Sequence, residues 1–161
     1  MADYLFRPLV PADRARIVAW LAQPHIGGWW QDGDTEWPLL AAEFGTGRCD
    51  MRVVETGGVP FAFVQDYDVR TWPMPQYDDL PEGARAMDTF LGNPAYIGRG
   101  HGAGYIRARA DALLAQFPLV AVDPSPENTR AIRAYTAAGF VPRCTTPCED
   151  GDPVTVMTRL H

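Results

Sequence analysis

The chain has 161 residues, a net charge of −6 and a hydrophobic fraction of 47%, the figures of one globular domain with a sizeable core. Its 14 basic residues are all Arg, which excludes lysine Schiff-base chemistry and a Walker-type phosphate loop. The Arg are scattered along an acidic chain, which argues against a nucleic-acid partner and for a cationic one.

In chain order, Leu5–Leu9 reads as a first short strand. Pro11–Leu21 comes next as a helix with Ile17, Val18 and Leu21 at helical spacing, stopped by Pro24. Glu36–Phe44 places Trp37, Leu40, Ala41 and Phe44 on one face of a short helix that Gly45 ends. Met51–Glu55 and Val59–Tyr67 are strands of a hairpin, because Gly57 and Gly58 permit the positive φ of a tight turn. Pro60 marks an irregularity or an edge in the second of them. Asp68–Arg85, with three prolines, is a connection long enough to be a functional lid. Ala86–Leu91 is the next strand. A helix over Ala103–Phe117 then carries Ile106, Ala110, Leu113, Leu114 and Phe117 on one face. Leu119–Val122 is a short buried strand. Ser125 as N-cap, Pro126 as first residue and Gly139 as C-terminal cap frame a last helix. Phe140–Arg143 and Val154–Arg159 close the chain as strands.

No apolar run reaches the length of a membrane span, and Met1–Arg7 lacks the basic-then-apolar layout of a signal peptide. A cytoplasmic protein with no membrane partner is expected. Cys49, Cys144 and Cys148 are odd in number and form no CxxC pair, so they are expected as partly buried thiols, not metal ligands or a disulfide framework.

The most informative stretch begins at Gly98-Arg99-Gly100-His101-Gly102-Ala103-Gly104 and runs to Phe140. A glycine loop that opens a helix presents bare N–H groups and the positive end of a helix dipole, a site for phosphate. A dinucleotide fold would need a buried parallel strand just upstream. Here Asp88–Pro94 brings a charge and a proline instead. The second marker is Asp123-Pro124-Ser125-Pro126 with Asn128, Arg130-Ala131-Ile132-Arg133, Tyr135 and Ala138-Gly139-Phe140. Together these residues resemble the acetyl-CoA core of the GNAT acetyltransferase superfamily, and most of all the aminoglycoside 6'-N-acetyltransferases. Trp29-Trp30 after Pro24-His25, and Gly83-x-Arg85-x-x-Asp88, look like the same group. One position departs from the pattern. Ile97 stands where the superfamily loop begins with Gln or Arg. Arg99 could open a second register ending at Gly104, but the first leaves a full helix after the loop.

The resemblance implies an α/β domain of α+β type over 1–161, with a mixed, mostly antiparallel sheet and helices on both faces. It implies acetyl-CoA as acyl donor and a cationic small-molecule amine as acceptor, with a homodimer by analogy. The pyrophosphate would rest on Gly98, Arg99, Gly100, His101, Gly102, Ala103 and Gly104. The backbone of Thr89, Phe90 and Leu91 would pair with the pantetheine arm and polarise the thioester carbonyl. Asn128 would complete the cofactor site. Asp88 is the candidate base, because an ammonium cannot attack until it loses a proton. Tyr135 is the candidate acid for the departing thiolate. Trp29, Trp30, Asp78, Asp79, Asp88 and Asp123 would hold the acceptor.

Other readings stand beside these. Asp88 either takes a proton or only binds the substrate ammonium. Tyr135 also suits a core aromatic, Asn128 a helix-start residue, and His101 a loop side chain over the cofactor without a metal role. Adjacent aromatics cannot both face inward, so one of Trp29 and Trp30 is expected inside and the other out. Asp66, Asp68 and Glu82 are either further cation ligands or solvated loop charges. The expected reaction is acetyl transfer to the 6'-amine of an aminoglycoside. The rivals are another amine, such as a polyamine or a siderophore hydroxylamine, and a non-catalytic acyl-CoA sensor.

Overall fold

The computed structural model describes residues 2–161. Seven strands are present: β1 (Leu5–Pro8), β2 (Asp50–Thr56), β3 (Val59–Asp68), β4 (Arg85–Leu91), β5 (Leu119–Val122), β6 (Val141–Pro147) and β7 (Pro153–Leu160). The four α-helices are α1 (Arg14–Leu21), α2 (Gly33–Ala41), α3 (His101–Leu114) and α4 (Thr129–Ala137). The strands form one sheet in the order β1-β2-β3-β4-β5-β7-β6. β1–β2, β5–β7 and β6–β7 run antiparallel and β4–β5 parallel, the mixed and mostly antiparallel sheet expected. By its internal contacts the chain divides into two compact units, 1–65 with 88–101 and 66–87 with 102–161.

The first unit is built on a core that includes Ile17, Trp20, Trp37, Val53, Phe63 and Phe90. The hairpin turn forms as its glycines require, with φ of 56° at Gly57 and 80° at Gly58. β3 lies between β2 and β4, so it is not an edge, and Pro60 is simply its second residue beside the turn. α2 begins earlier than the periodicity predicts. Asp32 caps it by accepting from the Thr35 N–H at 2.9 Å, and Pro38 is carried inside. Its last predicted face residue, Phe44, lies beyond the helix but still meets Trp37 edge-on at 6.1 Å. Asp13, 2% exposed, is held by Arg7 and Arg16 and accepts from the Val10 N–H.

In the second unit α3 starts two residues before the predicted Ala103 and stops at Leu114, short of Phe117. The expected inward residues Ile106, Ala110, Leu113 and Leu114 are all buried. The last helix corrects the capping expectation. Ser125 does not cap it: the Ser125 carbonyl accepts from Asn128 N–H and its hydroxyl from Glu127 N–H, so 125–128 is a turn. Asn128 is the N-cap, accepting from Ala131 N–H at 3.2 Å. Gly139 does end the helix. With φ of 99°, it donates to Thr136 O while Phe140 donates to Tyr135 O, the paired bonds of a Schellman motif. β6 and β7 extend past their predicted ends, with an irregularity between Pro142 and Cys144. Cys144 is exposed, contrary to the expectation of partial burial.

Two further expectations change here. The long connection is not a loose lid. Val69 N–H bonds Ala84 O across its neck, and the Arg70 guanidinium donates to the carbonyls of Tyr77, Asp78 and Leu80. Met74, Gln76, Tyr77 and Leu80 are buried beneath it, so it is a compact Ω-type loop. Asp66 is neither a solvated charge nor a cation ligand. It is 1% exposed and bonded to Arg85 at 2.7 Å and Arg109 at 2.8 Å.

Removing Asp66 takes a buried carboxylate away from two guanidinium groups. Asp66→Ala is expected to destabilise the protein by about 3–5 kcal/mol, read as a lower urea midpoint. Asp13 gives a pH prediction. The Arg7 hydrogen bond holds its carboxyl below the ordinary carboxylate range against the opposing effect of burial. A depressed native value means that its contribution is complete above the unfolded value and is lost as pH falls through the native one. Stability of Asp13→Asn should therefore decline less steeply than wild type on acidification below about pH 4.

Candidate active site

The candidate residues of the first unit hang from β4. Asp88 and Thr89 are half-buried and Phe90 is buried. The Asp88 Oδ2 accepts from Gln65 Nε2 at 3.1 Å, and Gln65 Oε1 accepts from the Cys49 thiol at 3.4 Å. The two bonds fix which end of the Gln65 amide faces the carboxylate. Thr89 Oγ donates to Phe63 O at 2.6 Å. The Phe90 ring stacks on Phe63 at 5.3 Å and meets Trp30 at 5.0 Å, so the ring itself is occupied by packing. Trp30 is half-buried against these rings, while Trp29 is 46% exposed, the split expected of neighbours. Glu36, in the first turn of α2, has its carboxyl pushed up by burial first. The charges of Asp88 and Asp32 add to this, and a hydrogen bond from the Gln31 N–H opposes it.

Two glycines of the loop take a conformation that other residues resist. Gly98 and Gly100 have φ of 75° and 79°, the left-handed region that side chains resist. α3 then begins at His101, so the N–H groups of 101–104 have no acceptor within the helix. A Cβ on Gly102 would touch only the Ala134 Cβ, at 3.9 Å, and none on Gly98 or Gly100 would meet anything within 4 Å. Packing does not demand glycine there, and the open space over the first turn fits a group laid against the backbone. The His101 side chain packs among aromatic rings. It is the first residue of α3, its Nδ1 is 3.0 Å from Tyr4 Oη, and its ring lies within 5.1–6.0 Å of Tyr96, Phe61 and Tyr4.

In the second unit Asn128 has its side chain committed to capping α4. Tyr135 lies in the last turn of α4, 7% exposed, with its ring edge-on to Phe140 at 5.7 Å. Asp78 and Asp79 are exposed on the Arg70-pinned loop. Asp123 belongs to a cluster that the sequence did not reveal. Gln76 Nε2 donates to Asp123 Oδ2 at 3.0 Å and to Glu149 Oε2 at 2.8 Å. Gln76 is 5% exposed, and its Oε1 is a buried acceptor with no hydrogen-bond partner. The residues that sequence reasoning missed are thus Gln65, Gln76, Glu36 and Glu149. Among the described residues no group of three or more His, Cys, Asp or Glu side chains is arranged to hold a metal ion.

Comparison with known proteins adds a family. Residues 10–146 match the family described as acetyltransferase (GNAT) domain. The chain is 30% identical to the aminoglycoside N(6')-acetyltransferase type 1 of Klebsiella pneumoniae, over 95% of this chain and 82% of that one. It superposes on the crystal structure of the aminoglycoside acetyltransferase AAC(6')-Ib with coenzyme A at a TM-score of 0.86. That match has 27% identity over 99% of this chain and 95% of the other. The same enzyme with coenzyme A and kanamycin gives 0.84 at 27% identity, with 99% and 95% of the chains covered.

The Asp88–Glu36 coupling can be tested directly. Asp88→Asn removes a like charge, so the Glu36 pKa should fall toward the ordinary carboxylate value in a side-chain NMR titration. An unmoved Glu36 would show that the two carboxyls do not sense each other.

Proposed function

From the premise that the chain belongs to the GNAT acetyltransferase family, we propose that it acetylates the 6'-amine of aminoglycosides. It is an acetyl-CoA-dependent N-acetyltransferase, and the acetyl group arrives as the thioester of that cofactor. We propose that 1–161 works as one acetyltransferase domain, a reading supported by a single family match from 10 to 146. Among the described residues no helix is long and apolar enough to cross a membrane. Action in the cytoplasm, where acetyl-CoA is held, belongs to the same proposal.

The roles follow from chemistry. The N–H groups of Gly98–Gly104 receive the pyrophosphate, since a helix start with open glycines favours an anion. The described β4–β5 ladder consists of Arg85↔Val120 and Ala86↔Ala121, at the start of β4 only. This supports pairing of the arm with Thr89–Leu91 on the edge of β4 turned away from β3, where a backbone N–H polarises the carbonyl. Asp88 accepts the proton of the acceptor ammonium, and the Gln65 amide holds its carboxylate for that task. Tyr135, its orientation fixed by the Schellman end of α4, gives its phenol proton to the departing thiolate. Asn128 shapes the helix start beside the cofactor and contributes through the turn it caps.

The observation that carries the polycationic acceptor is the Gln76 cluster. Its amide gathers two carboxylates and leaves one buried oxygen without a donor. Two carboxylates thus meet at one buried amide, and a buried acceptor without a donor is costly. Trp29 and the exposed Asp78 and Asp79 would extend that acceptor surface.

The test is release of CoA thiol from acetyl-CoA with kanamycin, ribostamycin or spermidine as acceptor. Turnover is expected with the two drugs and not with spermidine. Asp88→Asn is expected to lower kcat by about a hundredfold or more with kanamycin. Turnover of spermidine alone would move the assignment to a simple amine, and an unaffected Asp88→Asn variant would remove the base.

A further inference from the structure

The imidazole of His25 has a partner that acetyl transfer by Asp88 and Tyr135 does not call for. Its Nε2 lies 2.7 Å from the carbonyl oxygen of Leu91, the last residue of β4. A carbonyl has no proton to give, so Nε2 carries the hydrogen and donates. The direction of this carbonyl is set by its peptide. Gly92 N–H donates to Phe61 O on β3 at 2.9 Å, and no cis peptide bond is present among the described residues. In a trans peptide the C=O opposes the N–H, so Leu91 C=O points away from β3.

The segment around this bond is fixed on several sides. Asn93 N–H also donates to Phe61 O, at 3.0 Å, so two residues face one and the strand ends in a bulge. A Cβ on Gly92 would lie 2.2 Å from the Trp20 ring, so only glycine lets that indole close. Leu91 therefore cannot turn its carbonyl elsewhere without breaking the bulge or moving Trp20. Backbone groups repeat every second residue of a strand. The side of β4 that carries the Leu91 carbonyl thus also carries the backbone groups of Thr89.

We propose that His25 is a positioning residue for the acyl donor. By taking the last outward carbonyl of β4, it ends the strip along which the donor arm pairs and so sets the register of that arm. The inference rests on the acetyl-CoA reading. Without the imidazole the strip gains one more acceptor, and an arm that slips by one repeat moves by about 6.6 Å. A slip of that size takes the thioester out of reach of a base held at Asp88. His25 touches neither reactant in this scheme and acts through the Leu91 carbonyl alone.

The experiment measures CoA binding by calorimetry, together with kcat and KM for acetyl-CoA, on wild type, His25→Ala, His25→Asn and His25→Gln. A Gln amide places its N–H near the position of Nε2, whereas that of Asn falls short of it. The Ala and Asn variants are expected to bind CoA about tenfold more weakly, with reduced kcat, and Gln to recover most of the loss. Equal CoA affinity and kcat in all four proteins overturns the proposal. So does equal weakening in all three variants, which would mean that the ring serves only to pack. Should Ala not fold, the Asn–Gln pair carries the same comparison. A wild-type protein that binds no CoA overturns the acetyl-CoA reading, and the proposal with it.

Discussion

A polar group that leaves water needs a partner with the right hydrogen, and β4 meets that demand from one element after another. Gln65 serves the Asp88 carboxylate, the Phe63 carbonyl takes the Thr89 hydroxyl, and His25 serves the Leu91 carbonyl. The Phe90 ring between them is locked among Phe63, Trp30 and Trp20. The strand that carries the proposed base and the proposed donor-pairing edge is therefore held by partners from several elements. Acyl transfer gains from this, because donor and base must keep their geometry to within a fraction of an ångström.

The arginine-only composition serves a structural purpose of its own. A guanidinium offers five donors in a rigid plane, and a lysine offers three at one point. Arg70 uses that plane to hold three carbonyls of one loop. Arg107 reaches the Ala137 carbonyl at the end of α4, and Arg159 binds both the Arg107 carbonyl and Asp111. These bonds, with the Schellman turn, fix the part of α4 that bears Tyr135. Scattered arginines on an acidic chain spoke against nucleic acid. What they did instead could not be read from their spacing, because their carbonyl partners carry no mark in the sequence.

Periodic and conformational features were legible, and pairings were not. Gly57-Gly58 and Gly139 announced their turns, since few residues tolerate those φ values. The buried face of α3 was plain from its spacing. The glycine loop, the Asp123–Phe140 string and Asp88 were enough to reach the family that comparison supports. Ser125 misled because Asn128, an equally good cap, stands three residues later, and a helix can have only one. Asp66 misled because burial depends on Arg109, forty-three residues away. Gln65 and Gln76 were invisible for a plainer reason. A neutral amide has no periodicity and no charge, and it gains meaning only from the carboxylates it meets.

Those two glutamines suggest how this acidic chain sorts its carboxylates. Asp13, Asp66, Glu55 and Glu43 are bound by guanidinium groups, which order them and cancel their charge. Asp88, Asp123 and Glu149 each accept from a glutamine amide. An amide orders a carboxylate as an arginine does but contributes no opposing charge. An arginine at position 65 or 76 would make the stronger bond, and it would also repel any ammonium brought near. The neutral residue gives up bond strength and adds no positive charge of its own. A protein that takes hold of a cationic amine gains from carboxylates whose direction is fixed by a neutral partner.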